Sequence, residues 1–120
     1  MRDLVKAMKS LSDETRLRML NLLLERECCV CEVMQVLGVS QSTASRGLCA
    51  LCDAGLLKRR REGTWTFYSI DKDMTQYYSE MLQAVKEALE GDQSYKSDRE
   101  RLRQVRRVGP HCAEQVAFQN

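Results

Sequence analysis

The stretch Cys31-Glu32-Val33-Met34-Gln35-Val36-Leu37-Gly38-Val39-Ser40-Gln41-Ser42-Thr43-Ala44-Ser45-Arg46 decides the fold. Apolar residues at helical spacing run from about Val30 to Leu37 and stop at Gly38, which suits the left-handed position past a helix end. Ser40 then offers a hydroxyl to the free amides of a second helix, about Gln41 to Ala54. Leu48 and Leu51 mark its core face, and Gly55 ends it. Two short helices joined by Leu37-Gly38-Val39-Ser40 match the helix-turn-helix plan. The leading face of the second helix is small and polar. Gln41, Ser42, Thr43, Ser45 and Arg46 suit a major groove, where Gln and Arg read base edges and hydroxyls reach bases or phosphates.

The pattern changes after this unit. Leu56-Leu57-Lys58-Arg59-Arg60-Arg61, a Glu62-Gly63 turn, and the β-branched and aromatic run Thr64-Trp65-Thr66-Phe67-Tyr68-Ser69-Ile70 predict a β-hairpin. Behind a recognition helix such a hairpin is a wing, and Arg59, Arg60 and Arg61 are expected to meet phosphate or the minor groove. Upstream, Leu4, Val5, Met8 and Leu11 mark a first short helix. Ser12 is the expected N-cap of the next, with Asp13 and Glu14 in its first turn. Leu17, Met19, Leu20, Leu22, Leu23 and Leu24 should bury that helix. Downstream, Asp71 is the expected cap of a long helix carrying Met74, Tyr77, Tyr78, Met81, Leu82, Val85, Ala88 and Leu89, ended by Gly91. The expected class is mostly α with a β-hairpin wing, a winged helix-turn-helix over residues 1–91. Residues 92–120 read as a basic polar tail, helical in part. It carries too few apolar residues to fold alone, and is expected to be loosely ordered or packed on a partner.

The chain of 120 residues is enough for one domain with a modest core. A net charge of +2 does not by itself announce a nucleic-acid partner, so the local cation runs carry that reading. No apolar run approaches the ~20 residues of a membrane helix. The N-terminus carries Asp3 and lacks a signal-peptide apolar stretch, so a cytoplasmic location is expected. In that compartment thiols stay reduced, and the six Cys point to metal or redox chemistry and not to a disulfide scaffold.

Three of those thiols fall in Glu27-Cys28-Cys29-Val30-Cys31-Glu32, at the mouth of the helix-turn-helix. Thiolates select soft acceptors over hard ones such as Mg or Ca. A nearby helix N-terminus is expected to lower the thiol pKa. Residues at i and i+2 of a helix do not share a face. If both are helical, Cys29 and Cys31 can grip one atom only when the first turn deforms, which would shift the recognition helix. Cys28 and the tail residue Cys112, beside His111, are the candidates for a third ligand. Cys49 and Cys52 lie one turn apart. Cys52 follows Leu48 by one turn and reads as a small core residue, while Cys49 is left open. A single His argues against zinc, nickel or cobalt sensing. Cys49-Ala50-Leu51-Cys52 lies late in a helix without alternating strands, so an oxidoreductase is not expected.

Residues from about 3 to 90 resemble the ArsR/SmtB family of bacterial metal-responsive repressors. The resemblance rests on Leu11-Ser12-Asp13-Glu14-Thr15-Arg16-Leu17-Arg18-Met19-Leu20, Cys29-Val30-Cys31-Glu32 and Ser40-Gln41-Ser42-Thr43-Ala44-Ser45-Arg46. Ala54-Gly55-Leu56-Leu57 and Arg61-Glu62-Gly63-Thr64-Trp65-Thr66-Phe67-Tyr68 complete it. It implies a homodimer paired through its first and last helices. It also implies binding to palindromic double-stranded operator DNA, and release when a metal or metalloid binds. Cys29-Val30-Cys31 lies where the arsenic-responsive branch places its Cys-Val-Cys motif, which implies As(III) or Sb(III) as inducer, held by three thiolates in a pyramid. In one version of that motif a third Cys follows three residues after the second, and that position here is Met34. Gly47 stands where many members carry His. Members that sense cadmium or lead place thiols on the recognition helix and in the tail, which gives Cys49, Cys52 and Cys112 a second reading with Cd(II) or Pb(II). A third reading is a thiol redox or persulfide sensor bridging Cys29 and Cys112.

Overall fold

The structure is a computed structural model that describes residues 2–106. Helices α1 (Arg2–Leu11) and α2 (Glu14–Glu25) come first, then a two-residue strand β1 (Cys28–Cys29). Helices α3 (Val30–Leu37) and α4 (Gln41–Asp53) form the helix-turn-helix. The wing strands β2 (Leu57–Glu62) and β3 (Trp65–Ile70) follow, and α5 (Gln76–Glu90) and α6 (Gln93–Leu102) close the described chain. The core gathers Met19, Leu20 and Leu22 of α2, Leu48 and Leu51 of α4, and Leu56 and Leu102, all fully buried.

The turn between α3 and α4 has the expected chemistry. Gly38 sits at φ 67° and ψ 34°, a left-handed conformation that costs glycine little. The Ser40 hydroxyl accepts the Thr43 amide at 3.1 Å. Two other caps differ from expectation. Asp13, and not Ser12, caps α2, accepting the Arg16 amide at 2.9 Å. Ser12 turns back onto α1, its hydroxyl donating to the Lys9 carbonyl at 2.8 Å. Asp71 does not cap the long helix, because the chain first makes a turn in which Asp71 accepts the Asp73 amide. Helix α5 starts only after Thr75.

The sheet has the order β1-β3-β2, all antiparallel. Strand β1 pairs with the wing: Cys28 is opposite Tyr68, and Cys29 is opposite Phe67. Nothing in the sequence pattern announces a strand of two residues.

Residues 93–102 of the segment after Gly91 form a helix that packs on its own chain. Helix α6 docks on α2 and α3 of its own chain. Asp92 caps it, and Leu102 is fully buried. Arg18 forks onto Asp98 at 2.9 and 3.0 Å, and Arg101 pairs with the same carboxylate. Asn21 donates to the Tyr95 carbonyl at 3.0 Å and accepts from Arg99 at 2.7 Å. The cations of this basic segment serve in part as staples. Burial alone would push the Asp98 carboxyl up, but Arg18 and Arg101 hold it below the usual carboxylate range.

Candidate functional site

The thiol cluster is built where β1 turns into α3. Cys29 lies in extended backbone at φ −96° and ψ 169° and stands immediately before the helix. Cys31 is in its first turn. Because only Cys31 is helical, the i, i+2 restriction does not apply, and the two sulfurs meet at 3.0 Å. The expectation that the pair can converge only by unwinding α3 is therefore corrected. Both residues are buried, Cys29 at 2% exposure and Cys31 at 0%; Cys29 is a free thiol, whereas Cys31 is disulfide-bonded. Successive strand residues point to opposite faces. Cys28 accordingly faces away from Cys29, with its Sγ 3.4 Å from the Arg26 carbonyl.

A carboxylate locks the pair in place. Glu32, 2% exposed, accepts the Cys29 amide at 3.0 Å through Oε1. Its other oxygen takes Arg26 Nη2 at 2.7 Å. Arg26 also donates to the Glu27 carbonyl at 2.8 Å and to the Leu102 carbonyl at 3.2 Å, the end of α6. Glu32 stands three residues after Cys29, the spacing of a capping box. That spacing is the signal by which sequence reasoning could have found it. Burial pushes the Cys29 thiol up; the amides of Glu32 and Cys31 act the other way, and the nearby Glu32 carboxylate adds to the rise. The helix terminus does not win here, contrary to expectation, because desolvation of a thiolate outweighs two amide dipoles. Cys112 and His111 lie outside the described residues. The chain approaches the thiols, however, since Gln35 Nε2 donates to the Arg106 carbonyl at 3.0 Å. Gln35 is one turn past Cys31 on α3.

The second part of the site is the polar face of α4 and the wing. Gln41, Ser42 and Arg46 are exposed, while Thr43 and Ser45 are half-buried. Ala44, Gly47, Leu48 and Leu51 form the opposite, buried face. A Cβ on Gly47 would stand 2.5 Å from Met19 Sδ, so the bare glycine lets α4 lie directly on α2. On the wing, Arg61 is exposed. Arg59 lies 5.9 Å from the Tyr68 ring centroid, and its Nη1 is 3.9 Å from Cys49 Sγ. Cys49 and Cys52 are both half-buried beside it. Burial pushes the Cys52 thiol up against the opposing charge of Arg59. Arg60 forks onto Glu27 at 2.9 and 3.1 Å, reaches Glu62 at 2.7 Å, and lies 4.6 Å over the Phe67 ring. Among the described residues no group of three metal-ligating side chains converges, and no helix is long and apolar enough to cross a membrane.

Comparison with known proteins gives a consistent result. The family model described as "Bacterial regulatory protein, arsR family" matches residues 13–59, from the cap of α2 through the helix-turn-helix into the wing. The arsenic resistance transcriptional regulator ArsR1 of Pseudomonas putida is 42% identical over 81 residues, which cover 67% of this chain and 63% of that protein. A cadmium resistance transcriptional regulatory protein CadC homolog of Staphylococcus aureus is 42% identical over 72 residues, 59% of this chain and 60% of that one. The chain thus spans somewhat under two thirds of the length of these two curated relatives. Among solved structures, the homodimeric winged helix-turn-helix DNA-binding domain of a possible ArsR-family regulator from Mycobacterium bovis superposes with a TM-score of 0.61. The two are 31% identical, with 72% of this chain and 80% of that chain covered.

Proposed function

The chain belongs to the arsR family of bacterial regulatory proteins, and on that premise we propose that it is a repressor that leaves its operator when trivalent arsenic or antimony binds its buried thiols. The observation that carries this reading is the convergence of Cys29 and Cys31 at 3.0 Å, at the joint between the wing sheet and the helix-turn-helix. As a transcription regulator it needs no catalytic residue. Its working parts are a soft-ligand trap and a DNA-reading face.

In the reduced protein, once a thiol reductant has opened the disulfide of Cys31 and left it protonated, trivalent arsenic as the neutral hydroxide meets thiols without a charge having to be buried. Each sulfur forms a bond to arsenic, each thiol proton leaves with one hydroxide as water, and three such exchanges release three waters. Two of the sulfurs are those of Cys29 and Cys31. For the third we assign Cys112 over Cys28. Cys28 sits on the other face of β1, while Arg106, held by Gln35, lies six residues before Cys112. Six residues span up to about 20 Å, and Gln35 shares a helix face with Cys31. The DNA face consists of Gln41, Ser42, Thr43, Ser45 and Arg46 for bases and nearby phosphates, with Arg59, Arg60 and Arg61 at the wing. The repressor acts as a dimer on double-stranded DNA, pairing through α1 and α5, where Val5, Met8 and Tyr77 expose 49%, 57% and 49% of their surface.

The test is fluorescence anisotropy of operator DNA from upstream of the chain's own gene, with reduced protein titrated with arsenite, antimonite, cadmium and a mild oxidant. Arsenite and antimonite are expected to lower affinity at least about fivefold, the low end of allosteric couplings. Cys29→Ser and Cys31→Ser are each expected to abolish that response. Release by cadmium, lost in Cys49→Ser or Cys52→Ser, would move the inducer site to α4. Release by the oxidant alone would make the protein a redox sensor and end the metalloid reading.

A further inference from the structure

Cys49 continues the stripe of α4 that carries Ser42, Ser45 and Arg46. It stands four residues after Ser45 and three after Arg46, the spacings that stack side chains on one helix face. Buried Ala44, Gly47 and Leu51 lie on the opposite side. The wing closes one flank of the stripe. Arg59 on β2 is paired with Tyr68 on β3 and lies 5.9 Å from that ring centroid, and its Nη1 is 3.9 Å from Cys49 Sγ. We infer that Cys49 is a modification site for a soft carbon electrophile, an α,β-unsaturated ketone or aldehyde, and that the adduct takes the protein off DNA. This goes beyond the inducer reading, shares with it only the DNA-reading face, and calls on neither Cys29 nor Cys31.

Among the described residues Cys28, Cys29, Cys49 and Cys52 are free thiols. The first two are enclosed, at 0% and 2% exposure, while the two on α4 are half-buried. Burial pushes the Cys52 thiol up against the charge of Arg59, which disfavours its nucleophilic form. Cys49 has a guanidinium nitrogen facing its sulfur. In the addition, this sulfur bonds to the β-carbon of the conjugated carbonyl. The electron pair of the C=C bond moves toward the carbonyl oxygen as an enolate, and the thiol proton ends on the α-carbon. No group leaves and no oxidant is consumed. Arg59 carries five N–H donors, so it can face the sulfur and also meet the oxygen on which charge grows. Tyr68, 4% exposed, walls the inner side with its ring. The product puts several atoms on the reading stripe, where Ser42, Ser45 and Arg46 approach DNA. It also takes the space of the Arg59 guanidinium, which gives up its place at the wing.

The probe is methyl vinyl ketone, added in limiting amount to the full chain near neutral pH without a reductant, so that the disulfide of Cys31 stays closed. Peptide mass mapping is expected to find the adduct first on Cys49, at a rate at least about tenfold above that of any other thiol. Iodoacetamide, which forms no enolate, controls for access. In Arg59→Gln the ratio of the ketone rate to the iodoacetamide rate is expected to fall at least about threefold, a change that looser packing alone would not produce. Operator Kd is then measured by anisotropy for each protein before and after the ketone. Singly modified wild type is expected to bind at least about tenfold more weakly, whereas Cys49→Ser, compared with itself, keeps its own Kd. First modification at Cys52 or elsewhere overturns the site. An unchanged Kd in the Cys49 adduct, or an equal loss in Cys49→Ser, overturns its effect on DNA. An unchanged rate ratio in Arg59→Gln overturns the part given to Arg59. Site and rate are read without DNA or arsenite, so they stand or fall whatever becomes of the inducer reading.

Discussion

Cys29 shows how one residue can hold two offices. Its backbone amide belongs to the cap of α3, through Glu32, and its sulfur meets that of Cys31, the pair proposed above to hold the inducer. The sequence made the clustering of thiols plain, and with it the soft-ligand chemistry. It did not reveal that Cys29 stands outside the helix, because that depends on a pairing with Phe67 some forty residues away. The raised thiol pKa has a consequence for stability. A thiol whose pKa is higher folded than unfolded contributes stability that is complete below the unfolded pKa, about 8.5. That contribution is lost as pH rises through the folded value. The urea midpoint should therefore fall on going from about pH 8 to about pH 10, and less so in Cys29→Ser. Exposure makes a parallel prediction: iodoacetamide should label half-buried Cys49 before buried Cys29, as peptide mass mapping would show. At Gly47, adding a methyl group gains about 1 kcal/mol of helix propensity but drives a Cβ into Met19, itself fully buried. Overpacking of this kind costs about 1–3 kcal/mol, so Gly47→Ala is expected to lose about 1 kcal/mol in urea unfolding. A gain of that size would mean that Met19 swings aside freely.

At the scale of elements, the helix-turn-helix and the hairpin were legible because each is specified locally. Gly38, Ser40 and the alternation of Trp65 to Ile70 carry their own instructions. Strand β1 and the docking of α6 were not, because their partners are remote in sequence. The staple of α6 joins Arg18 to Asp98 across 80 residues, and its apolar anchor is a single leucine. Arg18→Ala would remove the forked partner of a carboxylate that is 1% exposed and leave it the exposed Arg101. Breaking such a pair costs about 3 kcal/mol, read as a drop in urea midpoint and faster exchange over 93–102. Acid should do likewise. Asp98 has a lowered pKa when folded, so its contribution is present above about pH 3.9 and vanishes as pH falls through the folded value. Far-UV circular dichroism and exchange should show α6 loosening only on that acid side. Because Arg26 touches both Glu32 and the end of α6, loss of α6 should also weaken inducer binding.

For the whole molecule, α1 and α5 expose Val5, Met8 and Tyr77, the face proposed above to pair in a dimer. Val5→Glu with Met8→Glu should shift sedimentation toward a monomer and weaken operator binding by at least about tenfold, since one half-site holds far less than two. In the proposed dimer two wings would meet one DNA, and each wing shares its sheet with the Cys28–Cys29 strand. The central claim is that the proposed trap at Cys29 and Cys31, and not the thiols of α4, holds the inducer. Arsenic X-ray absorption on the full-length complex tests it most directly. Three sulfur neighbours and no oxygen in the wild type are predicted, falling to two sulfurs in Cys29→Ser and in Cys112→Ser. Three sulfurs retained in Cys29→Ser, or lost in Cys49→Ser, would contradict it.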